Sequence, residues 1–410
     1  MLKTIAGIDV HKRVLMVVVF RPADDSAEPE KRRFGSCTAE LTHLRAWLQQ
    51  RQVEEVVMES TAQYWKPVWL TLEGCFQLFL AQAWSNRAPR GKKADFKDAE
   101  RLARRHAARE LTLSFVPEAA QRQLRSLTRR RTQLSRDRAR IQNQVESLLE
   151  ETCIKISSLL TDLFGASGLR ILAGLAKGES DPAKLASLAD ARVQRSPEEL
   201  ADALTGSVNR LQRRLLQQHL DHLELVEEQL AELDQLTAEL MQEHADSVAR
   251  LVDVPGIRLL AAQQIVAEAG PTAQAFDSAA QFSAWIGVSP GREESAEHNY
   301  NSHTAKGNAY LRRILCQVAQ AAVRTHHCIF QQTFKRLLPR LGYPKAIWAI
   351  ARHLSVVIWK ILHDRVHYIE YGGTTSPQAA KRRLQRIRKE LRTLGYSDEL
   401  KPLLSPAPSA

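Results

Sequence analysis

Apolar residues near the start of the chain come in short β-branched runs. Ile5–Asp9 and Val14–Phe20 flank a polar turn at His11–Arg13, which is the pattern of a hairpin. Leu41, Leu44 and Leu48 then recur every three or four residues, as on one face of a helix, and further apolar runs follow at Val53–Met58 and Phe76–Ala83. Interleaved strands and helices over residues 1–86 predict an α/β sheet. From residue 87 the chain turns basic. Leu124, Leu127, Leu134, Ile141 and Val145 keep roughly helical spacing among many arginines, predicting a long helix with a basic outer face. A solvated charged helix is the alternative, but such a helix usually mixes its charges and this one hardly does.

Residues 197–247 predict a second long helix of opposite sign. Leu216, Leu223 and Leu230 sit seven apart, as do Val226, Leu233 and Leu240, with Glu224, Glu227, Glu228, Glu232 and Glu239 around them. This is the spacing of a coiled-coil seam. The seam would close on the basic helix or on a second copy of the chain; the second copy is favoured, because the helix brings no other core. Residues 248–372 read as a helical domain. Gly372, Gly373 and Pro377 open a basic tail, 373–410, with a short helix at Lys381–Arg392 and a proline-rich end expected to be disordered. The expected organisation is 1–150, 151–247, 248–372 and 373–410.

The chain has 410 residues, 44% of them hydrophobic, enough to fill at least one core and to exclude a wholly disordered or fibrous protein. Charges at Asp9, His11, Lys12 and Arg13 interrupt the most apolar early stretch, so neither a signal peptide nor a membrane span is expected. Five cysteines without a Cys-x-x-Cys pair argue for reduced thiols inside the cell. A formal charge of +12 points to a polyanionic partner, nucleic acid first. No Walker-type motif suggests ATP use, and His363 with His367, or His326-His327-Cys328, lacks the support a zinc site needs.

Four acids carry the candidate chemistry. Asp9 and Glu59 each end an apolar strand, where a carboxylate needs a hydrogen-bond partner or a cation. Asp95 and Asp98 stand three apart, on one face of an expected helix start. That pair alone is also how an ordinary helix begins, as a cap and a first-turn acid. Together the four would suit hard divalent cations, which take oxygen ligands and can polarise both oxygens of a phosphodiester displacement.

Gly7-Ile8-Asp9-Val10-His11-Lys12, Met58-Glu59-Ser60-Thr61 with Tyr64, and Lys93-Ala94-Asp95-Phe96-Lys97-Asp98-Ala99 together resemble the signature of the IS110 insertion-sequence family of DEDD transposases. The resemblance implies an RNase H-like (RuvC-like) domain in which Asp9, Glu59, Asp95 and Asp98 bind Mg²⁺ or Mn²⁺. Downstream, Val252-Asp253-Val254-Pro255-Gly256-Ile257 before an apolar helix resembles a helix-hairpin-helix turn, able to hold a phosphate on backbone N–H groups. Arg258 stands where family members commonly carry glycine. Trp285-Ile286-Gly287-Val288-Ser289-Pro290, Glu294-Ser295-Ala296 and Lys306-Gly307-Asn308-Ala309-Tyr310-Leu311-Arg312 resemble the family's carboxy-terminal transposase domain, whose nucleophile position falls on Ser295. The residues alone would not separate Ser295 from Ser289 or Ser302.

The expected activity is therefore cutting and rejoining of DNA in the cytoplasm of a prokaryote, at the nucleoid. The resemblance also implies guidance by a structured non-coding RNA, and a homo-oligomer is expected. Lys92, Lys93, Arg129, Arg130, Arg131, Gly256, Arg258, Lys306 and Arg312 are the expected nucleic-acid contacts. A metal-dependent nuclease or junction resolvase without a serine nucleophile is the second reading, and a non-catalytic nucleic-acid-binding protein the third.

Overall fold

A computed structural model of the chain describes residues 3–22, 28–60, 62–86, 95–190, 192–289, 294–295, 298–299 and 307–370. The expected tail helix and proline-rich end lie outside the described residues. The chain divides into two compact units, Met1–Pro117 and Glu118–Ala410.

In the first unit, β1 (Ile5–Val10) and β2 (Val14–Phe20) form the expected hairpin, with Ile5 opposite Phe20 and Val10 opposite Leu15. β3 (Glu30–Gly35) continues it antiparallel, α1 (Thr38–Gln50) crosses over, and β4 (Glu55–Glu59) pairs parallel with β1. After α2 (Trp65–Leu72), β5 (Gln77–Ala81) pairs parallel with β4, giving the strand order β3-β2-β1-β4-β5. The apolar pattern does not announce β3, because this edge strand exposes Lys31, Arg32 and Arg33 and buries only Phe34. Charge on an edge strand discourages pairing with another chain.

Period-two alternation sorts the sheet into two faces. Ala6, Ile8, Val10, Leu15, Val17, Val56, Met58 and Leu80 form a core with Leu41, Leu44, Trp47 and Leu48 of α1 and Val68, Trp69 and Leu72 of α2. The other face carries Ile5, Phe20, Val57 and Ala81 against Leu102 and Ala103, and Met16 and Val18 against Ala99. These last helical residues belong to α3 (Asp95–Ala107).

The second unit begins with α4 (Ala119–Glu151). This basic helix was expected to close a domain ending at 150; it clusters with the second unit because its apolar stripe is covered there. Three shorter helices follow, α5 (Ala166–Lys177), α6 (Pro182–Ala186) and α7 (Pro197–Ala203), then α8 (Arg210–Leu240). The acidic stretch is thus two helices, each opened by its own capping box, Ser196 with Glu199 and Asn209 with Gln212. Leu223, Val226 and Leu230 of α8 pack with Leu134 and Ile141 of α4. The expectation that this seam closes on a second subunit is overturned. The partner helix lies in the same chain, and its charge matches: Arg131 pairs with Asp234, and Arg138 lies 3.2 Å from Glu227. As α4 advances α8 recedes, so the two run antiparallel. Leu216 joins a different cluster, with Val145, Leu149 and α5, while Leu240 is exposed.

The remaining elements are α9 (Ala245–Val252), α10 (Leu259–Ala269), α11 (Ala279–Ile286), the short strands β6 (Glu294–Ser295) and β7 (His298–Asn299), α12 (Ala309–Ala322) and α13 (Ile329–Asp364). α13 bends at Gly342, which takes φ +72°. By length and composition α13 is apolar enough to cross a membrane, but 50% of its most apolar window is buried inside the chain, as in a core helix.

Candidate active site

Strand alternation decides where the two strand-end acids point. Ile5 and Val57 face α3, so Asp9 and Glu59, at even offsets from them, stand on the same face. In the parallel register Ile8 lies beside Met58, and the two acids come one residue later on neighbouring strands. α3 brings Asp98 over them. Its approach depends on Gly7: a Cβ there would stand 2.1 Å from the Ala99 carbonyl oxygen and 3.0 Å from the Ala103 nitrogen. Only a residue without a side chain lets the helix backbone lie this close to β1.

Burial pushes the Asp9 carboxyl above its ordinary value; His11 opposes this, and the charges of Asp98 and Glu59 push the same way as burial. His11 Nε2 lies 3.1 Å from Asp9 Oδ2. Asn86 donates to Glu59 at 3.2 Å, Arg101 donates to Asp98 at 2.7 Å, and Arg101 Nε also donates to the Asn86 carbonyl at 3.2 Å. Arg101 and Asn86 therefore link the helix acid to the strand acid. Sequence reasoning missed both: Asn86 precedes the basic stretch unremarked, and Arg101 is one arginine among many.

Asp95 is the first residue of α3; its side chain lies outside the described structure. Among the described residues, no three His, Cys, Asp or Glu side chains stand close enough to form a metal-ligand set. The donor chemistry nevertheless suits a hard divalent cation: the carboxylates offer oxygen alone, and burial, with the smaller repulsion from Asp98 and Glu59, disfavours the Asp9 charge that such a cation would offset.

In the second unit, Ser295 lies in a two-residue strand, with Ser295 opposite His298. The loop that carries it is pinned at both ends. Gly307 presses so closely on the end of α11 that a Cβ would stand 2.3 Å from the Ile286 carbonyl carbon, and the Asn308 N–H donates to Trp285 at 3.1 Å. Arg312 donates to the Gly287 carbonyl at 2.6 Å and lies over the Trp348 ring. Asn308 caps α12 and donates to Glu268 at 2.7 Å. Glu268, 1% exposed, also receives Arg129 at 2.7 and 2.8 Å. Arg125 lies 3.5 Å from it, and burial pulls the Arg125 guanidinium down to about 10. A single acid inside the apolar helix Leu259–Ala269 was the available signal for this network, since a buried carboxylate requires cationic or hydrogen-bonding partners.

The expected nucleic-acid contacts thus separate. Arg129, Arg131 and Arg312 are engaged within the fold. Arg130 and Arg258 are exposed, and Gly256 takes φ +87° in the turn between α9 and α10. Lys92, Lys93 and Lys306 lie outside the described residues. His367 lies 2.8 Å from Asp253, and His363 2.9 Å from Asp364.

Residues 6–154 match the DEDD transposase family of IS110 type, and residues 248–335 match the transposase family IS116/IS110/IS902. A probable family 20 transposase of Pseudomonas aeruginosa is 26% identical over 288 residues, 68% of this chain and 75% of the relative. The first match takes in Asp9, Glu59, Asp95 and Asp98, and the second takes in Ser295. Two separate stretches thus lead to one assignment, and the chain belongs to the IS110 family of transposases.

Proposed function

We propose that this transposase cuts and rejoins DNA through a covalent serine intermediate, using Asp9, Glu59, Asp95 and Asp98 as the ligands of Mg²⁺ or Mn²⁺ and Ser295 as the nucleophile. The observation that carries the reading is that Asp9 and Glu59 share one sheet face with Asp98 of α3 over it, near enough for the charges of Asp98 and Glu59 to add to the burial that raises the Asp9 carboxyl. The order β3-β2-β1-β4-β5, with three antiparallel strands followed by two parallel ones, supports an RNase H-like (RuvC-like) domain.

A bound cation would supply charge stabilisation at the phosphoryl oxygens of the displacement. In the first step the Ser295 hydroxyl oxygen bonds to phosphorus, the bond from phosphorus to one sugar oxygen breaks, and the hydroxyl proton passes to that departing oxygen. In the second a sugar hydroxyl of the new partner strand attacks the phosphoserine ester, and the proton returns to Ser295. The ester conserves the energy of the broken bond, and each step is the mirror of the other. The Asn308–Glu268–Arg129 network holds the loop end from which Ser295 must be presented. Lys92, Lys93, Arg130, Arg258 and Lys306 would hold backbone phosphates of DNA and of a structured guide RNA, for which the charge of +12 is suited. With DNA as substrate the protein acts at the nucleoid.

Assembly of more than one copy is part of the proposal, on a surface other than the buried seam. Leu211, Leu215, Leu225, Leu236 and Leu240 of α8 are exposed. At about 100° per residue they fall within about 80° of arc, a single apolar stripe.

The test traps the reaction on a nicked DNA substrate, denatures the protein and looks for labelled DNA attached to it. The adduct is expected in the parent protein and in Ser289→Ala and Ser302→Ala, and absent in Ser295→Ala. Normal recombination by Ser295→Ala would remove the serine mechanism and leave a metal-dependent nuclease or resolvase. Full activity in both Asp95→Ala and Asp98→Ala would reduce that pair to a helix cap.

A further inference from the structure

A cavity of about 390 Å³ opens in the second unit between α4, the turn before α10, and α12. Its charged lining is basic: Arg131, Arg258 and Arg313 stand there with the neutral Thr132, Ser135, Gln264 and Gln317, and none of the described lining residues is acidic. The three arginines are not equivalent. Arg131 is neutralised by Asp234. Arg258 is exposed at the mouth, where it is the N-cap of α10 but makes no side-chain cap hydrogen bond. Arg313 donates one Nη2 bond to Thr132 at 2.9 Å, while its Nε is buried and, among the described residues, has no hydrogen-bond partner.

A buried guanidinium N–H without an acceptor is costly, and chains normally avoid it. Burial, and after it the charge of Arg136 on α4, pull the Arg313 guanidinium down, with Tyr310 opposing them. Elsewhere in this unit arginines of α4 meet acids, Glu268 beside Arg129 and Asp234 beside Arg131.

We infer that this cavity is a binding site for one backbone phosphate of a nucleic-acid strand, with Arg313 as its inner anchor and Arg258 at its mouth. The guanidinium of Arg313 would give Nε–H and one Nη–H to two phosphate oxygens, the paired geometry that suits arginine to phosphate. The volume admits a phosphate with its adjoining sugar but not a duplex, so the strand runs across the mouth and contributes a single group. The choice of a nucleic-acid phosphate rests on the transposase reading; the cavity's cationic donors, which would suit any oxyanion, do not.

The experiment uses the full chain and Arg313→Gln, with Arg313→Lys as a charge-preserving variant and Arg340→Gln as a control. Arg340 is an exposed residue of α13 away from the cavity, so the control makes the same charge change. Affinity for single-stranded RNA, single-stranded DNA and duplex DNA is measured by anisotropy across a salt series. The melting temperature is measured with and without inorganic phosphate. Arg313→Gln should melt no lower than the parent at low salt, since it relieves an unpaired, repelled cation. It should also lose phosphate stabilisation and lower the slope of log affinity against log salt by about 0.9 on duplex or about 0.7 on single strands. Arg313→Lys should keep the slope but weaken binding several-fold, and Arg340→Gln should leave phosphate stabilisation as in the parent. Whichever nucleic acid shows the loss is the source of the phosphate. An unchanged slope and unchanged phosphate stabilisation in Arg313→Gln would overturn the site, as would a lowered melting temperature, the mark of a structural arginine. If the parent binds no nucleic acid yet phosphate stabilises it through Arg313, the oxyanion site stands and the nucleic-acid reading fails.

Discussion

Gly7→Ala should disable the candidate active site without touching a single acid. The added Cβ would lie 2.1 Å from the Ala99 carbonyl oxygen, where ordinary contact begins at 3.4 Å, so α3 must retreat by 3.4 − 2.1 = 1.3 Å or β1 must deform by as much. The atoms that the Cβ meets, of Ala99 and Ala103, belong to backbone, and no rotamer change relieves the clash. Ala99, Leu102 and Ala103 are fully buried at this contact, so a shift opens space beneath all three. Overpacking of this kind costs roughly 1–3 kcal/mol. Asp98 is the residue before Ala99 and moves with it. A displacement of about 1 Å at a reacting centre is enough to cost on the order of 100-fold in rate. Denaturant unfolding and a strand-cleavage assay on the same preparation measure the two effects. Gly35→Ala, whose Cβ would meet only the Glu40 side chain at 3.1 Å, is the milder control. Parental stability and cleavage in Gly7→Ala would refute the argument that this glycine sets the distance between α3 and β1.

Asp9 makes a pH prediction. Its carboxyl is raised above 3.8 in the fold, so the stability it contributes is full below that value and is lost as pH rises through the raised value. Metal-free protein should therefore become slightly more stable in Asp9→Asn at neutral pH, whereas added Mn²⁺ should raise the melting temperature of the parent and not of the variant; stabilisation of both equally would exclude Asp9 as a ligand. For assembly, Leu225→Glu with Leu236→Glu should lower the mass in sedimentation while leaving the fold intact. Leu223→Glu with Leu230→Glu should instead unfold the α4–α8 pair, by several kcal/mol for two buried charges. A folded, lighter Leu223/Leu230 variant would return the seam to the subunit interface.

The sequence by itself determined most local structure of the first unit. β-Branched runs gave the β1–β2 hairpin, and period-two alternation made Asp9 share a face with Ile5, and Glu59 with Val57, before any neighbour was known. These are short-range consequences of backbone geometry. Only tertiary structure decided that β1 and β4 are adjacent in the register that brings the two acids together, and that Gly7 admits α3 over them. β3 escaped notice because an edge strand with one buried residue has almost no apolar signal.

The long helices divide in the same way. The heptad spacing of Leu223 and Leu230 was legible, but a seam specifies that it must be covered and not by what, and here α4 covers it. Arginine content was equally legible, yet composition does not tell a solvated charge from a paired one. Arg129 meets Glu268 and Arg131 meets Asp234 across more than a hundred residues of chain. Arg313, an ordinary residue in the sequence, is left without a partner for its buried Nε among the described residues. Which charges are spent inside the fold and which remain for a ligand is a property of long-range packing, because pairing depends on distances that no local pattern encodes.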